Sequence, residues 1–93
     1  MTVTLVIVPA EKIGEKQILK NIFATVDVKT WEISPMKNVL THTEYSGKVR
    51  FYAGGYLTVS ADNEDYEALT LGAFINLLHR RAKSEIKAIT IVF

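Results

Sequence analysis

The stretch Lys48-Val49-Arg50-Phe51-Tyr52-Ala53-Gly54-Gly55-Tyr56-Leu57-Thr58-Val59-Ser60 alternates around a glycine pair, which specifies a β-hairpin and its register together. A two-residue Gly54-Gly55 loop would set Phe51 opposite Thr58 and Arg50 opposite Val59, so both faces of the ribbon would be mixed and neither could rest on a core. A three-residue loop, Ala53-Gly54-Gly55, sets Val49 and Phe51 opposite Val59 and Leu57, and Lys48, Arg50 and Tyr52 opposite Ser60, Thr58 and Tyr56. One face is then apolar and the other polar and aromatic. This register is the expectation, with a type I turn at Ala53-Gly54 and Gly55 in the left-handed region, where it has no Cβ penalty.

Outward from the hairpin, the chain reads as an ordered series of amphipathic elements. Residues 2–8 are short, β-branched and stopped by Pro9, which predicts a buried strand. Ile18, Leu19, Ile22 and Phe23 recur at helical spacing, with Lys12, Glu15, Lys16 and Lys20 around them, and predict a helix over about 11–23. Val26 to Ile33 reads as a strand whose charges, Asp27, Lys29 and Glu32, place it at a sheet edge. Ser34-Pro35 reads as an N-cap followed by proline at the first helical position, so a short helical turn through Met36, Val39 and Leu40 is expected, then loop from Thr41 to Gly47.

Beyond the hairpin, Asp62 or Asn63 can cap a helix over about 63–83, whose apolar stripe is Leu71, Phe74, Ile75, Leu78 and Ala82. Gly72 within it costs about 1 kcal/mol against alanine, which predicts a close packing contact there. Ile86 to Phe93 is apolar enough to be a central strand. Counting the hairpin as one bent strand gives the order βαββαβ: an α+β two-layer sandwich of ferredoxin-like topology, with the hairpin at 48–60. Both helices would cover one face of its sheet and leave the other free for a partner.

Length bounds the rest. With 93 residues the chain is expected to form a single domain, 1–93, burying roughly 60–65% of its unfolded surface. It has no cysteine, hence no disulfide, thiolate nucleophile or cysteine metal site. The start of the chain lacks the basic region, apolar length and cleavage site of a signal peptide, and no run of 18 apolar residues occurs, so a soluble, cytoplasmic protein without membrane contact is expected. A net charge of +1 and a pI near 8.0 are too mild for obligatory nucleic-acid binding. Charge is local instead: Asp62, Glu64, Asp65 and Glu67 form an acidic group, and Arg80, Arg81, Lys83 and Lys87 a basic one.

Lys48, Arg50, Tyr52 and Tyr56 combine cations with flat rings, a chemistry that stacks on bases and neutralises phosphates. Cross-strand pairing in a solvated hairpin accounts for the same residues structurally. Arg80 and Arg81, after His79, could receive a phosphate or an acidic partner, although cations in a last helical turn also complement the helix dipole. Asp62 to Glu67 lacks the alternation and glycine of a calcium loop and reads as cap and dipole complement. His42 and His79 have no metal-ligand spacing. His42, Glu44 and Tyr45 could build an acid–base site if the 34–47 loop folds inward. Trp31, the one tryptophan, either closes the core or anchors an interface, and its edge strand could pair with a symmetry mate to close a homodimer.

With no nucleophile–base pair, metal set or cofactor loop visible, the leading expectation is a small non-enzymatic binding or regulatory protein that docks on a protein partner. Small stand-alone chains of this kind are frequent among viral and mobile-element proteins, and an inhibitor of that type is one form such a protein takes. The alternative is a nucleic-acid-binding module using Lys48, Arg50, Tyr52 and Tyr56. A second alternative is a small enzyme or ligand-binding domain using the 34–47 loop. No cofactor or metal is expected.

Overall fold

The hairpin forms in the register that its alternation demands. In the computed structural model, which describes residues 2–11 and 13–93, β4 (Lys48–Phe51) and β5 (Tyr56–Ser60) pair with Phe51 opposite Leu57 and Val49 opposite Val59. The Tyr52 N–H donates to the Tyr56 carbonyl at 3.0 Å and closes the Ala53-Gly54-Gly55 loop. Gly54 and Gly55 have φ of 96° and 85°. A type I turn would need Gly54 near −90°, so the turn is of another kind and both glycines supply backbone that other residues rarely adopt.

The remaining strands are β1 (Thr2–Pro9), β2 (Trp31–Ile33), β3 (Val39–His42) and β6 (Ile86–Val92), and the helices are α1 (Glu15–Thr25) and α2 (Glu64–Arg81). All pairings are antiparallel and the strands lie in the order β2-β3-β4-β5-β1-β6. The expected four-strand ferredoxin-like βαββαβ sandwich is therefore incorrect. The chain runs βαββββαβ, and one open six-stranded sheet carries both helices.

The miscount arises between Val26 and Gly47. The Asp27 carboxylate accepts the Lys29 N–H and the Thr30 hydroxyl, each at 3.0 Å, and this turn takes residues 27–30 out of the expected strand. Those two bonds, the Lys29 N–H foremost, hold the Asp27 carboxyl below its ordinary pKa. Only Trp31–Ile33 remains extended, at the sheet edge as expected. Ser34 is not a helix cap: its Oγ accepts the N–H groups of Asn38 and Val39 at 3.2 and 3.0 Å, and Lys37 adopts φ 55°. The chain thus reverses into β3, with Ile33 opposite Leu40, where a helical turn and loop were expected.

Three other expectations change. The first helix begins at Glu15, after Gly14, and Lys12 lies outside the described residues. Gly72 packs against nothing, since a Cβ there would meet no atom within 4 Å. β6 is an edge strand, not a central one, because it pairs with β1 and nothing beyond. β1 lies between β5 and β6, one strand in from that edge, and the middle of the sheet is β4 and β5.

The second helix starts where its cap predicts, with Asn63 Oδ1 accepting the Tyr66 N–H at 2.8 Å. Ile18 and Ile22 of α1 and Phe74, Leu77 and Leu78 of α2 close over Leu5, Leu40, Val49, Leu57 and Val59 of the sheet in one apolar cluster. Phe74 is fully buried and meets Phe51 and Trp31 edge-on, with centroids 5.9 and 6.3 Å apart. Both helices thus occupy the same side of the sheet, and the other side is uncovered.

Candidate interaction surface

Side chains alternate across a strand, so each strand that sends one set into the core sends the other to the uncovered face. From the pairings, Val39, Arg50, Thr58, Thr4 and Val92 form one row across this outer face. The adjacent row runs from Tyr52 and Tyr56 to Val6 and Thr90. Tyr52 and Tyr56 stack with centroids 4.8 Å apart and planes 6° from parallel. Lys48 Nζ donates to Thr41 Oγ1 across the strands at 3.3 Å.

Val6, Val8 and Val92 are 38%, 39% and 55% exposed, beside Tyr56 at 42%. The sequence reading placed Lys48, Arg50, Tyr52 and Tyr56 together here and missed the valines. Their signal was present: β1 from Leu5 to Pro9 is apolar at every position and β6 at five of seven, the pattern of strands covered on both faces. Only one face is covered.

The other candidate residues lie elsewhere. Trp31 is 3% exposed and packs on His42 and Phe74, so it belongs to the core and cannot anchor a surface contact. Arg80 and Arg81 end α2, in the helix layer, beside a groove shared with Asp27, Thr30 and Asn76. The sheet separates them from Lys48 and Arg50, so the two basic groups do not form one surface.

The 34–47 segment is not a loop that folds over a pocket. It holds β3 between two tight turns, and His42 is the buried residue of the second. Its Nδ1 accepts the N–H groups of Glu44 and Tyr45 at 3.2 and 3.3 Å, and its ring stacks on Tyr45 at 4.3 Å and meets Trp31 edge-on at 4.9 Å. An Nδ1 that accepts two donors carries no proton, which fixes the neutral tautomer with hydrogen on Nε2. Burial lowers the His42 pKa below 6.5, against the opposing effect of Glu44. The imidazole thus holds the turn together.

Among the described residues, no group of three or more histidines, aspartates or glutamates is placed to hold a metal ion, and no helix is long and apolar enough to cross a membrane. No protein family, characterised protein or solved structure matches this chain.

Proposed function

We propose that this protein is a non-enzymatic binding module that docks on a protein partner through the outer face of its sheet. The observation that carries this reading is the chemistry of that face: two stacked tyrosines beside three exposed valines, with Arg50 and Lys48 on one flank. An antiparallel sheet with one solvated face ordinarily presents polar side chains to water. Tyrosine, arginine and aliphatic side chains on a rigid sheet are the groups that dominate protein–protein contacts. A regulator or inhibitor acts in this way, by occupying a partner's surface.

Nucleic acid is the less favoured ligand, since the face has few cations and Arg80 and Arg81 lie across the sheet from it. The test is a photo-crosslinking amino acid placed at Tyr56, with Leu69 on exposed α2 as the control position, in the cells that make the protein. One protein adduct at position 56, absent at 69, lost in Val6→Lys and reproduced with that protein purified, is the expected result. Nucleic-acid adducts at 56, or the same adducts at both positions, would contradict the reading.

A further inference from the structure

The two sheet edges are unequal. β2 offers three residues, whereas β6 offers seven, Ile86–Val92, with one charge, Lys87. Half the backbone N–H and C=O groups of an edge strand point away from its neighbour, and proteins usually blunt such edges with charge, proline or brevity. β6 has little of this protection. A groove of about 260 Å³ runs beside its first half, lined by Ile75, Leu78 and His79 of α2, by Lys83, and by Ile86 to Ile89 of β6, Lys87 included. Its second half presents Ile91 and Val92, 38% and 55% exposed.

From this arrangement we propose that β6 pairs antiparallel with β6 of a second copy, closing a two-fold dimer with a continuous twelve-stranded sheet. The strand is self-complementary. In a two-fold register centred on Ile89 or on Thr90, Ile89 faces the second copy's Ile89 or Ile91, and Lys87 faces its Ile91 or Phe93; no lysine meets a lysine. Ile91 of each copy comes over the apolar groove beside the other copy's Ile86 and Ile89, so a knob at one end of the strand meets a hollow at the other.

The basic groups around each groove then lie at opposite ends of the interface. The two Lys87 are offset by four or six residues along the strand, about 13 or 20 Å, beyond the roughly 8–10 Å over which salt leaves charges in contact. Such pairing makes about six backbone hydrogen bonds. At one bond per 100–200 Å² this corresponds to roughly 600–1,200 Å², the low end for specific association. The dimer therefore forms reversibly with concentration. It stands independently of any partner on the outer face, which it would double in extent.

The test is sedimentation equilibrium of the full chain from about 1 to 500 µM, with hydrogen exchange of the amides of 86–92 at both extremes. The weight-average mass is expected to rise from the 10.4 kDa monomer to about twice that, with exchange in β6 slowing as it does. Ile91→Lys sets a cation beside the other copy's Lys83 and His79 and should weaken association at least tenfold. Val92→Lys sets a cation on the outer side of the same seam, opposite the second copy's Ile86 or Ala88, and keeps the test open if Ile91→Lys unfolds. A monomer at every concentration, or a dimer that survives both variants, overturns the proposal. So does a dimer lost in Tyr56→Lys alone, which would assign self-association to the outer face.

Discussion

Both faces of the one sheet carry apolar side chains and put them to different use. On the helix side Leu5, Leu40, Leu57, Val49 and Val59 are buried under Ile22, Phe74 and Leu78. On the outer side Val6, Val8, Val92, Tyr52 and Tyr56 stand among Thr4, Arg50, Thr58 and Thr90, and nothing among the described residues covers them. Apolar side chains contribute to folding in proportion to the area they lose from water. The first set therefore carries the stability of the fold, and the second is available to a partner.

Substitutions on the helix side should have the largest effect. Phe74→Ala empties the centre of the core and should destabilise by about 3–5 kcal/mol in urea unfolding; a cost below about 1 kcal/mol would mean that the faces do not differ as described. A smaller change of opposite sign tests the same region. Thr70 is fully buried on α2 with its Oγ1 unpartnered, against Gly47. Thr70→Val removes that hydroxyl at constant shape and should stabilise by about 1 kcal/mol.

The His42 turn adds a pH dependence to the core side. The folded pKa lies below 6.5 while the unfolded chain takes up its proton near that value, so the unfolded state binds more protons as pH falls. Stability attributable to His42 is complete above pH 6.5 and declines as pH drops towards the folded pKa. Melting temperatures measured from pH 7.5 to 5 should fall, and the His42→Asn variant should show a shallower slope.

How much of this was legible depended on how local the determining forces are. The 48–60 register is fixed by side-chain period and loop length, both contained in thirteen residues, and it could be read directly. Asn63 and the 3.6-residue period likewise reveal α2. The 26–47 segment was misread because short side-chain bonds decide it: Asp27 converts part of a strand into a turn, and Ser34 reverses the chain where Ser-Pro suggested a helix. The place of β6 was also misread. Its largely apolar composition resembles that of a central strand, and a single sequence does not show which strands end up at a sheet edge. The candidate face was half visible for the same reason: Lys48, Arg50, Tyr52 and Tyr56 followed from the register, whereas Val6, Val8 and Val92 needed the sheet order.

The smallest expected effect gives the most direct test that the outer face is surplus to folding. The triple variant Val6→Thr, Tyr56→Thr, Val92→Thr places a β-branched strand former at each position and removes apolar surface, and its unfolding free energy in urea should lie within about 1 kcal/mol of the parent. A loss of about 3 kcal/mol or more would show that these residues hold the fold, and would contradict the assignment of this face to a partner.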